Sequence, residues 1–444
     1  MQKPTRRPTR RSTTGLRLRA LFESGLMSLM LALGIVMAAT ATGHAALPNI
    51  VVILADDLGW GDVGFNGGAQ IQTPNMDALA RSGVIFSAGY APSAVCSPSR
   101  AGLMTGRYPQ RFGLENNPPA GVSLGLSLGE TTIAQVLGAA GYDTAIIGKW
   151  HLGGARGYKP NERGFDDFYG FLPSTSAYLG GVTLWRNEQR EIETRYLTTA
   201  FGAEAADFID AHSTRPFFLY LPFNAPHVPL QAPAAYLKRY SSITNSNRRT
   251  YAAMVSALDD AVGVVADALK RNRIDRNTLL IFASDNGGAE WKGADNGPLR
   301  GGKSELYEGG VRVPMFVRWP GVIPGGGTYT KPVISLDVLP TVAAAAGAQT
   351  PPHVDGVNLL PYLLGTRKGS PHRTLFWRVN GGQSIEQSAV LTYPMKLLEQ
   401  RTSSVISDLS TDLGESHPLH PQDLLDEMRS EYQRWVSQTI RPLW

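Results

Sequence analysis

The chain of 444 residues holds one cysteine, Cys96, and the other residues best suited to chemistry come directly after four short apolar runs. Asp56 and Asp57 follow the run 49–55, Lys149 and His151 the run 144–147, His227 the run 216–221, and Asp285 and Asn286 the run 278–283. Strands buried on both faces are apolar throughout in this way, whereas half-exposed strands alternate. Ligands of open α/β sheets bind beyond the carboxyl ends of the strands, so all of these polar groups are expected in one crevice. Three carboxylates and an amide oxygen, with no cysteine or histidine pair at zinc-like spacing, form a hard-oxygen set suited to Ca2+ or Mg2+. Any one of these carboxylates taken alone serves equally as a helix cap or turn residue. Adjacent Asp56 and Asp57 fit that reading less well, because two like charges at a buried rim are costly without a cation.

Cys96 lies in Val95-Cys96-Ser97-Pro98-Ser99-Arg100-Ala101, ahead of a helical stretch at 101–106. Ser97 suits a helix cap and Pro98 the first helical position. Cys96 is then expected where amide N–H groups and the positive end of the helix dipole face outward, a place that welcomes an anion. Arg100, one turn on, adds a permanent donor fork for an oxyanion. A lone cysteine is also commonly a small buried hydrophobe, and these residues by themselves leave both readings open.

The elements that must position these groups alternate. Helical patterns at 76–82, 132–140, 200–211 and 249–271 separate the strand runs, which predicts a large, mostly parallel sheet covered by helices on both faces. The composition shifts near Pro351-Pro352. Beyond Pro371 the chain reads as strands at 374–379, 389–398 and 403–409 closed by a helix at 421–439, a small antiparallel sheet with one helix. The expected domains are an export signal at 1–45, a catalytic α/β domain at 46–360 and a smaller α+β domain at 361–444.

The first segment has a basic leader, an apolar stretch from Gly25 to Thr42, and small residues at Gly43-His44-Ala45, the order of a cleaved secretory signal. It carries seven basic residues and one acid, so removing it takes the net charge from +5 to about −1. Nothing in the remainder argues for nucleic acid or an anionic membrane surface. The expected location is periplasmic or extracellular, with no stable membrane association after cleavage. A secreted chain with one cysteine cannot staple itself internally.

Cys96-Ser97-Pro98-Ser99-Arg100 followed by Leu103, Thr105, Gly106 and Arg107 resembles the signature of type I sulfatases of the alkaline phosphatase superfamily. The resemblance extends to the Asp56–Asp62 segment, Gly148–Gly153, Ala225-Pro226-His227, Ser284–Gly287, Gly301-Gly302-Lys303 with Glu308-Gly309-Gly310, Asp337–Thr341 and the tail segment 408–412. It implies that Cys96 is oxidised to formylglycine by a separate maturation enzyme. It also implies that Asp56, Asp57, Asp285 and Asn286 hold one Ca2+ together with an oxygen of residue 96. Arg100, Lys149, His151, His227 and Lys303 are implied as sulfate-contacting or acid–base residues. In that scheme one hydroxyl of the hydrated aldehyde attacks sulfur and His227 or Lys303 protonates the leaving alcohol. His151 then takes the proton of the second hydroxyl as sulfate departs.

Within hydrolases the rival is a phosphatase or phosphonate monoester hydrolase on the same fold. The phosphatases use Ser or Thr and generally two metals with several histidine ligands, and here only His151 and His227 fall in matching motifs. A rival of another class is a non-catalytic carbohydrate-binding protein on a degenerate scaffold, which has no reason to keep Cys96, Pro98 and Arg100 as a set. The resemblance points to aryl sulfates or sulfated sugars as substrates. The loops 172–190 and 231–247, which would touch a sugar, show no readable pattern.

Overall fold

Every residue of Asn49–Ala55 is buried, and alternate side chains enter different cores. Ile50, Val52 and Leu54 belong to one hydrophobic cluster, Val51, Ile53 and Ala55 to another. A strand with both faces covered must lie inside a sheet between two layers of helices. The computed structural model describes residues 1, 2, 4, 5, 47–119, 121–379 and 387–444, and Leu47–Trp444 form one compact unit. Apart from residues 1, 2, 4 and 5, the export signal expected over 1–45 lies outside the described residues.

The strands of this unit are β1 (Asn49–Ala55), β2 (Val84–Phe86), β3 (Gly89–Tyr90), β4 (Asp143–Lys149), β5 (Asp167–Phe171), β6 (Val182–Arg186), β7 (Gln189–Glu193) and β8 (Phe217–Pro222). They continue as β9 (Thr278–Ser284), β10 (Met315–Arg318), β11 (Gly327–Tyr329), β12 (Val333–Ile334), β13 (Leu375–Val379), β14 (Gln387–Thr392), β15 (Met395–Gln400) and β16 (Ser403–Asp408). Ten strands make one sheet in the order β11-β2-β10-β9-β1-β8-β4-β5-β6-β7. The run β9-β1-β8-β4-β5 is parallel throughout, while β10 and β6 pair antiparallel at its flanks. The four strands expected from sequence are thus adjacent, and their carboxyl ends share one edge.

Helices α1 (Pro74–Arg81), α4 (Leu197–His212) and α5 (Ser246–Arg271) cover one face. The opposite face carries α2 (Cys96–Thr105), α3 (Ile133–Ala139) and α6 (Val338–Ala345). Helix α3 begins at a capping box in which Thr132 accepts from Gln135 and Gln135 answers, and α5 begins where the Asn245 side chain accepts from Arg248 N–H. Each end satisfies backbone donors that helices otherwise leave unpaired.

Strands β13–β16 form a separate antiparallel sheet, packed with α7 (Gln422–Val436) into a third cluster that includes Tyr90, Tyr108, Trp377, Leu397 and Trp435. The single strand expected over 389–398 is two strands. Tyr393 and Pro394 turn the chain between them, and Thr392 faces Met395 across the hairpin. Proline has no N–H for a ladder, so the apolar run folds back on itself there. Architecture and class otherwise match expectation: a mixed, mostly parallel sheet between helices with a smaller antiparallel sheet.

Candidate active site

Four strand ends and one helix end meet at the carboxyl edge of the large sheet. Asp56 and Asp57 follow β1, Lys149 ends β4, His227 follows β8 by a short turn, and Asp285 and Asn286 follow β9. Asp56 N–H bonds to Ala225 and Asp285 N–H to Ala55, so the ladder of the sheet carries into the site. Cys96 comes from the other direction as the first residue of α2.

The start of that helix differs from expectation. Val95, extended and without a side-chain cap, occupies the cap position. Ser97 is not the cap because its hydroxyl donates to the backbone carbonyl of His151 at 2.8 Å. The contact locks the start of α2 to the end of β4, and Cys96 still sits at the amide end of the helix.

Around the buried Cys96 sulfur the groups alternate in charge. Sγ lies 3.4 Å from Asp56 Oδ1 and 3.4 Å from Lys303 Nζ. Lys149 Nζ is 2.6 Å from Asp56 Oδ2, and Lys303 Nζ is 2.8 Å from Asp57 Oδ2. Arg100 grips Asp285 Oδ2 through Nε at 2.9 Å and Nη2 at 2.8 Å, with a third nitrogen on the Lys149 carbonyl. Asp56, Arg100, Lys149 and Asn286 have no solvent exposure at all. All of the residues implied by the resemblance, namely Cys96, Arg100, Lys149, His151, His227 and Lys303 with Asp56, Asp57, Asp285 and Asn286, therefore converge on this edge.

Such packing perturbs protonation. Burial alone would raise the Asp56 carboxyl, but Lys149, His227, Arg100 and Lys303 outweigh it and hold it far below the carboxylate range. Burial, then the Asp56 charge, push Asp285 up to about 7 against Arg100 and Lys149. Burial raises the Cys96 thiol above its ordinary value despite Lys149 and Lys303. His151 is held well below the usual imidazole value by burial, then by Lys149 and Arg100. His227 is lowered by burial in spite of Asp56. Lys303 is raised although burial opposes it, because Asp57 and Cys96 hold its proton.

Metal-ligating atoms of Asp56, Asp57, Cys96 and His227 lie within 4.8 Å of one another. His227 Nδ1 bonds the Val228 carbonyl at 2.7 Å, which leaves Nε2 3.7 Å from Asp57 Oδ2. Asn286 Nδ2 bonds Asp57 Oδ1 at 2.7 Å, while its buried Oδ1 has no hydrogen-bond partner. An orphaned amide oxygen beside three buried carboxylates is a costly arrangement, and a hard divalent cation relieves both the oxygen and the charge. The donor set therefore fits such an ion.

Some positioning residues carry no local sequence signal. Tyr251 on α5 donates to the Asp57 carbonyl at 3.0 Å and accepts from Gly59 N–H. This holds Asp57 in the left-handed region at φ 64°. His151, at φ 56°, is similarly constrained; two such residues side by side with reactive groups mark a site that the surrounding fold over-determines. Tyr178, from the unreadable loop 172–190, donates to the carbonyls of Asn224 and His227. Gly287 is legible only once the fold is known: a Cβ there would stand 1.7 Å from the Gly309 oxygen. Only bare backbone allows the end of β9 to meet the segment after Lys303.

The chain matches the Sulfatase family profile over residues 48–348 and the N-sulphoglucosamine sulphohydrolase C-terminal profile over 302–439. It is 34% identical over 470 residues to arylsulfatase G of Rattus norvegicus, covering 90% of this chain and 86% of the relative. It is 34% identical over 372 residues to N-acetylgalactosamine-6-sulfatase of Mus musculus, covering 76% and 70%. Among solved structures, Ps i-CgsB in complex with k-i-k-neocarrahexaose superposes with a TM-score of 0.86 at 38% identity, over 89% of this chain and 94% of that one. With its architecture, its carboxylate-and-cation site and these matches in accord, the chain belongs to the sulfatase family and is a sulfuric ester hydrolase.

Proposed function

We propose that the enzyme hydrolyses sulfate esters of phenols or sugars with a formylglycine made from Cys96 and one Ca2+ held by Asp56, Asp57, Asp285, Asn286 and an oxygen of residue 96. The observation that carries this reading is the Cys96 side chain, buried between Asp56 and Lys303 beside the orphaned Asn286 oxygen. A hydrated aldehyde supplies two hydroxyls on one carbon, and a calcium ion supplies a Lewis acid for sulfate oxygens.

The chain's own residues divide the remaining work. Arg100 and Lys149 fix the carboxylates and present positive charge where an anion binds. Lys303, its proton held by Asp57, is poised to protonate the leaving oxygen, with His227 Nε2 beside it. His151, kept neutral by burial and neighbouring cations, has an unpartnered buried Nδ1 available to accept a proton. The names of the relatives favour aryl sulfates and sulfated sugars. We further propose export to the periplasm or exterior after cleavage of 1–45, maturation by a formylglycine-generating enzyme, and a division at residue 360 into a catalytic and a smaller C-terminal portion. No helix among the described residues is long and apolar enough to cross a membrane.

Mass spectrometry of the tryptic peptide 82–100 from active protein tests the nucleophile. An aldehyde at residue 96 is expected, and full activity from a preparation holding only the thiol would overturn the proposal. Metal analysis should find about one calcium per chain, since hard oxygens select it; two zinc ions would favour a phosphatase instead.

A further inference from the structure

Lys303 reaches the site from a segment with no ladder behind it. Residues 301–307 form neither strand nor helix, and regular structure resumes only in the short helical turn Glu308–Val311. The buried N–H groups of such a segment must find partners elsewhere. Toward the large sheet, Lys303 N–H bonds to the Gly288 carbonyl, and Ser304 N–H to the carbonyl of Ala94, two positions before Cys96. Ser304 adopts the left-handed region, φ 72°, at this turn. From the other side the ties come from the small antiparallel sheet and its tail. Leu306 N–H donates to Gln387 Oε1 at 2.9 Å. Glu308 N–H donates to Glu415, and Lys396 Nζ lies 2.9 Å from Glu308 Oε1. Lys396 and Glu415 belong to a charged cluster, whereas Gln387, the first residue of β14, is neutral and 7% exposed. Of these three residues it holds the chain nearest to Lys303, since Leu306 is three positions on.

We propose that Gln387 is a positioning residue for Lys303: by accepting the Leu306 N–H it sets the turn that carries the Lys303 ammonium to Cys96 and Asp57. The inference rests on the role proposed above for Lys303, protonation of the leaving oxygen. Lys303 Nζ lies 3.4 Å from Cys96 Sγ and 2.8 Å from Asp57 Oδ2, so a slackened turn takes the proton away from the reacting atoms. Displacing a reacting group by about 1 Å can cost on the order of 10²-fold in rate. Catalytic groups carried on loops need this kind of support from the layer behind them. Through one amide oxygen the C-terminal portion thereby takes part in the chemistry.

Gln387→Met supplies the test, because it keeps the length of the side chain and removes the oxygen, leaving the Leu306 N–H buried without its acceptor. Full-length, calcium-loaded enzyme co-expressed with a maturation enzyme is assayed on phenyl sulfate and 4-nitrophenyl sulfate. The nitrophenolate leaves with less help from an acid. The ratio of the two kcat/KM values does not depend on how much of a preparation is folded or matured, so a merely structural loss leaves it unmoved. Gln387→Met, and independently Gln387→Ala, should each lower the phenyl-to-nitrophenyl ratio by about tenfold. Lys303→Ala should lower it at least as far. Gln387→Met added to Lys303→Ala should then lower it no further, since two changes that act through one group are not additive. An unchanged ratio in both Gln387 variants, beside a lowered one in Lys303→Ala, overturns the inference alone, and so does a second full drop in the double variant. A Lys303→Ala enzyme that keeps the wild-type ratio overturns the leaving-group role of Lys303, and the inference with it.

Discussion

Replacing Lys396 with Met should destabilise the protein by about 3–5 kcal/mol, the usual cost of removing one partner from a buried ion pair. Lys396 Nζ lies 2.9 Å from Glu308 Oε1 and 3.1 Å from Glu415 Oε1, all three side chains at 2% exposure or less. Glu308 also takes Tyr90 OH at 2.8 Å and Arg312 at 3.2 Å, and Glu415 accepts the Glu308 N–H. The wild-type cluster has two cations and two carboxylates; the variant has one cation and two carboxylates. At about 2 cal/mol/K of unfolding entropy per residue, the loss lowers the melting temperature by roughly 4–6 °C for a unit near 400 residues.

The pH dependence makes the test specific. Burial already raises the Glu415 carboxyl, while Lys396 pulls it down. Without Lys396 its folded pKa climbs further above its unfolded value. A carboxyl raised in this way costs stability once it ionises, so the penalty is full above the folded pKa and shrinks as the pH falls through it. Thermal melts of wild type, Lys396→Met and Lys396→Met/Glu415→Gln at pH 8 and pH 5 measure this. The single variant should recover part of its deficit at pH 5, and the double variant should recover much of it at both. A deficit below about 1 kcal/mol at pH 8, the scale of an exposed pair, or one identical at both pH values, refutes the reasoning.

Three further outcomes are expected. Chelation should abolish activity and lower the melting temperature, with calcium restoring both, and Asn286→Ala should weaken calcium retention measured by metal analysis. His151→Ala should release phenol from an aryl sulfate in a burst near the enzyme concentration and then stall, whereas His227→Ala should slow the burst, most for poor leaving groups; general acid–base roles predict losses of ~10²–10⁴-fold. His372 Nε2 lies 2.7 Å from Asp337 Oδ1, which raises its pKa although burial opposes it. Its stabilising contribution is then complete below the unfolded imidazole pKa and lost as pH rises through the folded one, so the melting deficit of His372→Ala should be larger at pH 5.5 than at pH 8.5.

The four central strands and the groups at their ends are readable because the signal is local. Val51 and Val52 face opposite cores, so the run has no alternation to hide it, and the residues directly after such a run must lie at the sheet's edge. Cys96 is readable through its neighbours Pro98 and Arg100. The start of α2 is not, because the Ser97 hydroxyl has more than one candidate partner, and only the fold brings the His151 carbonyl, 54 positions away, within reach. Lys396 and Glu308 are 88 positions apart, and Tyr251 and Asp57 are 194; no periodicity encodes such pairs. The β14–β15 hairpin does carry a signal, Pro394, which argues against an unbroken strand.

The electrostatics of the site tie these observations together. Asp56, Asp57 and Asp285 carry three formal negative charges, and Arg100, Lys149 and Lys303 carry three positive, while burial favours neutral forms of His151 and His227. By themselves the protein groups sum to zero, and each cation is engaged with a carboxylate. An anionic ester has little reason to enter such a site. A divalent ion held there as proposed would add positive charge to the crevice and would compete for the carboxylate oxygens that hold Lys303 and Lys149. Those ammonium groups would then be free to turn toward the anion, inside a low-dielectric wall that strengthens the attraction. The proposed cation beside the Asn286 oxygen is thus what would turn a charge-balanced crevice into one that attracts an anionic ester.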